Sequence, residues 1–249
     1  MASRQEAMIT IRQLTLYQEF VEAVALQKTI WGFDEIDLLP VRLFVTASKI
    51  GGHSFGAYDG DRMVGFCVAI PGIKPGAKSY LHSHMLGVMK EYRDAGLGRK
   101  LKLAQRDDAI KQGIDLIEWT FDPLEIKNAF FNIERLGAIV RRFVLNQYGT
   151  TSSPLNAGLP TDRCTAEWWL EGDRVTALLA GGKMPRQEIA ARISITNDIY
   201  KIKATDFTRA REIQKRVADQ FLEYFAKDLA VTGFERSAEN GTYLLSSLE

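Results

Sequence analysis

Two histidines, His82 and His84, sit two residues apart in the run Tyr80–Val88 (YLHSHMLGV). A strand turns alternate side chains to one face, which would hold both rings about 7 Å apart. A free imidazole titrates near about 6.5 and suits a general base at neutral pH. His84 is the expected base and His82 its assistant. The competing expectation is a pair of packed, hydrogen-bonded core histidines. A metal is not expected, because the pair supplies two ligands and no nearby Cys or Asp completes a set. Glu118, in the apolar run LIEWTF, is a second candidate base, since desolvation raises a carboxyl pKa. Its alternative is an ion-paired glutamate. His53, just after Gly51-Gly52, reads as a surface or structural residue.

The second chemical signal is Arg93-x-x-Gly96-x-Gly98, which follows an apolar strand and opens a helix. Such a junction leaves backbone N–H groups unpaired at the positive end of a helix dipole, and glycines let a phosphate approach. Lys90, Arg93, Arg99, Lys100, Lys102, Arg106 and Lys111 outnumber Glu91, Asp94, Asp107 and Asp108 by three charges, which suits a ligand with several phosphates. A Walker loop needs Gly-Lys-Ser/Thr, which is absent, and a Rossmann fingerprint needs glycine where Leu101 stands. A plain glycine turn before a charged helix is the simpler alternative.

The elements that must carry these residues follow from periodicity and turn chemistry. Strands are expected over 8–12, 54–58, 63–70, 80–88, 115–121 and 138–145, and helices over 16–30, 41–50, 97–112 and 124–136. Asp59-Gly60 signals a hairpin, Pro40 opens the second helix, and Gly32, Gly113 and Gly137 end helices. The loop covers 71–79. This order implies an α/β (α+β) domain with a mixed central sheet flanked by helices. Beyond it, 164–170 reads as a strand, 174–180 as a helix, 193–202 as extended and 206–229 as an amphipathic helix with Phe207, Ala210, Ile213, Val217, Phe221 and Phe225 on one face. Asn240-Gly241 is the turn expected to pair 232–237 with 242–246.

The chain has 249 residues, 46% apolar and 25% charged, with a net charge of +1, so no global field favours nucleic acid or an acidic membrane surface. No run approaches the ~18 apolar residues of a membrane helix, and residues 1–7 lack a signal peptide's apolar core. They read as a flexible lead-in to a cytoplasmic protein. Cys67 and Cys164 fall in apolar runs and are expected as buried reduced thiols.

Residues 86–106 resemble the pyrophosphate-binding motif of the GNAT superfamily of acyl-CoA N-acyltransferases, and the element order from Met8 to Tyr148 fits that fold. The run from Asn128 to Ala138 (NAFFNIERLGA) resembles the family's second motif. Trp119–Pro123 (WTFDP) with Gln105-Arg106 resembles a branch of predicted acyltransferases, some of whose relatives are thought to acylate amino acids. The His-x-His placement is similar to that of arylalkylamine N-acetyltransferases, where such a pair passes a proton away through water.

The resemblance implies acetyl-CoA, or another acyl-CoA, as co-substrate. Backbone amides of Asp94, Ala95, Gly96, Leu97, Gly98 and Arg99 would bind the pyrophosphate next to Arg93. Leu86, Gly87 and Val88 would pair with the pantetheine arm, one amide polarising the thioester carbonyl, and Asn128 would contact the arm from the other side. The tyrosine that often protonates the thiolate falls at Ile133, which cannot donate; Tyr148 and water are the replacements considered. Trp31 and Phe33 are candidates to pack on the acceptor and Arg42 to hold its carboxylate, although core aromatics and a solvated arginine are the ordinary roles. Trp168-Trp169 should point to opposite faces.

The implied organisation is a GNAT domain over 8–170 and a C-terminal extension over 171–249. Three roles are open to the extension: packing on the sheet edge, completing the acceptor site, or forming a homodimer contact. The implied function is transfer of an acetyl group to a small primary amine, amino acids included, by direct attack in a ternary complex. N-succinyl transfer is the alternative, and a non-catalytic acyl-CoA sensor the alternative of another class.

Overall fold

The computed structural model describes residues 9–76, 78–149, 157–185 and 187–248; the expected lead-in 1–7 and Met8 lie outside the described residues. The chain divides into two compact units, 1–117 and 118–249.

In the first unit, β1 (Ile9–Gln13), β2 (His53–Asp59), β3 (Arg62–Gly72) and β4 (Tyr80–Val88) pair antiparallel in chain order. Between β1 and β2 run α1 (Tyr17–Trp31) and α2 (Val41–Lys49), and after β4 comes α3 (Leu97–Lys111). Helix α1 stops at Gly32, whose φ of 65° is left-handed and whose N–H donates to the Lys28 carbonyl. Its start is tied by Glu19, whose Oε2 accepts from the Thr15 and Leu16 amides. Gly60, at φ 58°, and Asp61 make the turn that puts Asp59 opposite Arg62, so the hairpin expected at Asp59-Gly60 forms with its turn one residue later.

Two helices cover one sheet face and α3 the other. Phe66 meets the rings of Phe44 from α2 and Trp31 from α1, while its neighbour Cys67 points its Sγ at the Leu101 carbonyl of α3. Successive residues on a strand face opposite ways, so these contacts fix which face is which. Both cysteines are buried free thiols, as expected.

The unit division falls inside β5 (Leu116–Phe121), after Ile117. In the second unit the strand order is β5, β7 (Arg163–Trp169), β6 (Ile139–Val144), β9 (Leu229–Arg236), β10 (Asn240–Ser247), β8 (Ala191–Thr196). Its helices are α4 (Ile126–Phe130), α5 (Asp173–Leu179), α6 (Ile199–Thr205) and α7 (Phe207–Phe225). Trp168 is buried and donates from Nε1 to the Leu136 carbonyl, whereas Trp169 is 40% exposed, the two faces that alternation predicts.

Four expectations need correction here. Helix 124–136 begins at Ile126 and winds its last turn, Phe131–Arg135, as a π-helix. Residues 193–202 are extended only to Thr196; α6 follows, because Ile199 and Ile202 bury at helical spacing. The long helix ends at Phe225 and Leu229 opens β9, while Phe207 is exposed rather than on the buried stripe. Asn240-Gly241 is not the hairpin turn. The Ser237 N–H donates to the Asn240 carbonyl across Ala238-Glu239, and Gly241 already pairs with Arg236. Gly241 is needed for space: a Cβ there would lie 2.7 Å from Ile126 Cγ2 and 2.8 Å from Phe234 Cζ. Gly241→Ala is therefore expected to cost about 1–3 kcal/mol by overpacking, read as a lower denaturant midpoint with unchanged slope.

Candidate active site

Strand β4 carries one residue more than its β3 partner. Ala69 pairs with Ser83 and Val68 with Met85, leaving His84 as the bulge. The rings of His82 and His84 lie 6.0 Å apart, on one face as the alternation predicts. Ser83, between them, faces the other way into α3, where its hydroxyl accepts from Lys102 Nζ at 2.7 Å and donates to Gln105 Oε1 at 3.0 Å. Downstream of the bulge the alternation is inverted. Gly87 sits opposite Phe66 on the α1 face, and a Cβ there would come within 2.7 Å of Trp31 and 2.8 Å of Ile30. Without the extra residue, residues 83 and 87 would share a face.

The missing side chain of Gly87 makes room for the Trp31 ring, which packs edge-on to Phe66 at 5.9 Å and stacks with Phe33 at 5.6 Å. Trp31 is thus placed over Gly87, on the histidine face, and Phe33 stacks on it. Arg42, one residue inside α2, is exposed.

Beyond β4 the chain turns through Asp94 and Gly96, at φ 62° and 76°, both left-handed, before α3 begins. Asparagine-like side chains and glycine tolerate that region, which explains Asp94-Ala-Gly96. A Cβ at Gly96 would meet nothing within 4 Å, so conformation rather than crowding demands this glycine. Gly96 is the N-cap residue and has no side chain to cap the amides of the first turn, and residues 93–96 before it are exposed. Arg93 donates from Nε to the Val88 carbonyl at 3.0 Å, Tyr92 from its hydroxyl to Asp59 at 2.6 Å, and the Met89 amide to the Val64 carbonyl. These bonds pin the loop to the end of the hairpin. A helix N-terminus carries uncapped amides of the kind that can receive an anion, and Arg99 and Lys100 stand in its first turn.

His84 is half-buried, and burial pushes its pKa below the usual histidine value, so it stands neutral and able to accept a proton at pH 7. His53 is fully buried and structural. Its Nδ1 lies 2.7 Å from Asp108 Oδ2, yet burial outweighs that carboxylate and lowers its pKa. Burial raises the Cys67 thiol to about 12.

Glu118 and Asn128 belong to the second unit. Glu118 is buried, and its Oε1 accepts from Arg142 Nη2 at 2.6 Å, the ion-paired alternative to a free base. Arg141 and Arg142 both reach Glu167 because β6 bulges between Val140 and Arg142. Asn128 is exposed on α4, and Ile133 is wholly buried in the π-turn. Tyr148 meets Thr120 hydroxyl to hydroxyl at 2.9 Å.

Residues 18–137 match the Acetyltransferase (GNAT) family. The chain carries a GNAT acetyltransferase domain, and by that domain it is an acetyltransferase. No curated protein matches the sequence. Solved structures agree in fold. A putative acetyltransferase from Acinetobacter baylyi ADP1 is similar at 17% identity and TM-score 0.53, over 64% of this chain and 92% of that one. The ribosomal-protein-S18-alanine N-acetyltransferase of Escherichia coli is similar at 18% identity and TM-score 0.51, over 66% and 96%. Arabidopsis thaliana Naa50, solved with a bisubstrate analogue, gives 16% and 0.50 over 64% and 97%. No helix among the described residues is long and apolar enough to cross a membrane, and no group of three or more metal-ligating side chains occurs among them.

Sequence reasoning missed Ser83, Lys102 and Gln105 as a group. The signal was present: Leu97, Leu101, Gln105 and Ala109 form one i, i+4 stripe on the buried face of α3, and a glutamine interrupts it. Lys102 is buried, and burial lowers its pKa to about 7. The unfolded chain, at an ordinary 10.5, binds more protons than the folded one between about pH 7 and 10.5, so folding stability rises with pH across that window. Below about pH 7 the penalty is complete, and above 10.5 it vanishes. Lys102→Met should therefore raise Tm most at or below pH 7, and the gain should fade toward pH 10.5 in thermal unfolding scans.

Proposed function

We propose that the protein is an acyl-CoA N-acyltransferase that acetylates a small primary amine, amino acids included, in a ternary complex. The observation that carries this reading is the left-handed turn at Asp94–Gly96 opening α3 immediately after the strand that holds His84. An anion cradle and a neutral imidazole on one continuous stretch of chain are what acyl transfer from a phosphate-bearing thioester requires.

In this reading the amides from Asp94 to Arg99 hold the pyrophosphate, and Leu86–Val88 lies along the pantetheine arm. The acceptor lies against Trp31 and Phe33, with Arg42 available to a carboxylate. An ammonium is no nucleophile, so it first yields a proton to His84, with His82 passing it on through water. The nitrogen lone pair then forms the C–N bond, the nitrogen releases its second proton to water, a strand amide stabilises the oxyanion, and collapse breaks the C–S bond. The sulfur departs as thiolate and takes up, through water, the proton the nitrogen released. Glu118 is left out of the base role because Arg142 already occupies one of its oxygens.

Thiol release from acetyl-CoA, with pooled amino acids and other primary amines as acceptors, tests the reading directly. His84→Gln should lower kcat by about 10²–10³-fold with little change in the KM for acetyl-CoA. It should also remove the fall in kcat/KM on the acid side of the pH profile, a limb that lies below about 6.5 in the wild type because burial lowers that pKa. Gly96→Val should weaken acetyl-CoA binding in calorimetry by about tenfold or more, since a β-branched residue resists a φ of 76°. Tight CoA binding with no thiol release from any acyl-CoA and amine would favour the sensor reading instead.

A further inference from the structure

Three polar side chains lie sealed between β4 and α3, where apolar ones would pack more cheaply. Ser83 is 5% exposed, Lys102 3% and Gln105 not at all. Lys102 donates to Ser83 and Ser83 donates to Gln105, so two residues three apart on α3 grip one hydroxyl. Gln105 Nε2 is buried with no hydrogen-bond partner among the described residues. An orphaned donor and a desolvated amine both work against stability. What such a group supplies is direction, because hydrogen bonds fix a geometry that apolar packing leaves free to slide.

That direction falls at one place. Ser83 immediately precedes the bulge, and Lys102 lies on the helix whose first turn follows the Asp94–Gly96 loop. The clamp therefore joins the strand carrying His84 to the helix that begins at the anion cradle. Serine beside a desolvated lysine also resembles a nucleophile–base pair, but burial denies Ser83 any substrate.

We propose that Ser83, Lys102 and Gln105 are positioning residues that hold the β4 bulge in place and so aim His84 and the Leu86–Val88 backbone relative to α3. The inference rests on the acyltransferase reading for its kinetic consequence, but not for its structural one. A slip of one residue in β4 would turn His84 to the opposite face, and displacements of an ångström can cost about a hundredfold in rate.

The test uses the full chain with acetyl-CoA bound. Ser83→Ala and Lys102→Met should each lower kcat about tenfold while the KM for acetyl-CoA stays within about threefold. The His84 ring, titrated by NMR, should move up toward the ordinary histidine midpoint as the strand relaxes. Ser83→Thr, which keeps the hydroxyl, should stay within about twofold of wild type in kcat. Folded variants that keep both the wild-type kcat and the wild-type His84 titration would overturn the proposal, as would a rise in KM with kcat unchanged. If Lys102→Met does not fold, the Ser83→Ala and Ser83→Thr pair decides by the same readouts. If the wild type turns over no acyl-CoA with any amine, the acyltransferase reading fails, and the His84 titration alone decides the clamp: an upward shift in Ser83→Ala upholds it and no shift overturns it.

Discussion

The candidate site depends on one unpaired residue in a strand. Because β4 is one residue longer than β3 across Ser83–Met85, the faces of the strand exchange part-way along it. Upstream, the outward positions go to His82 and His84 while Ser83 reaches α3. Downstream, Gly87 takes the histidine face and opens the place that Trp31 fills. The imidazoles, a glycine and the aromatic ring packed on it come to the same side only through that exchange. A regular strand would have put Gly87 under α3 and left no room for the Trp31 ring.

The loop after β4 is the second constraint, and it depends on the first. Arg93 binds the Val88 carbonyl and the Met89 amide binds Val64, so the direction in which β4 ends sets the direction in which α3 begins. Two left-handed residues, Asp94 and Gly96, then bring the chain into the helix. The start of α3 and the histidines are therefore parts of one covalent path, and polar bonds between β4 and α3 cross-brace it.

Much of this was legible in the residues, and the failures have physical causes. The first unit followed the patterning closely, because Gly32, Pro40, Asp59-Gly60 and Gly113 are strong local punctuation and its strands alternate or run apolar. The histidine pair was legible because a period of two is all it needs. The inversion after His84 was not, since a bulge depends on the register of a neighbour and leaves no composition signal. The π-turn at Phe131–Arg135 was hidden for a similar reason: it winds more residues per turn than an α-helix, so a count back from Leu136-Gly137 does not return an α-helical direction. Asn240-Gly241 has the sequence of a tight turn, but packing of Ile126 and Phe234 over Gly241 won over local preference. Lys102 counts by sequence among the charges suited to a phosphate-bearing ligand, yet it is buried beneath β4, because a helix of this charge does not declare which of its lysines faces the sheet.

Cys67 gives the bulge a built-in clock. It pairs across from Leu86, wholly enclosed beneath α3, with its sulfur held in the protonated, unreactive form. No reagent can reach it while β3, β4 and α3 stay together. Its rate of alkylation would therefore count local openings of that corner of the sheet rather than the chemistry of the thiol. A ligand that tightens the corner would slow the clock without touching the sulfur.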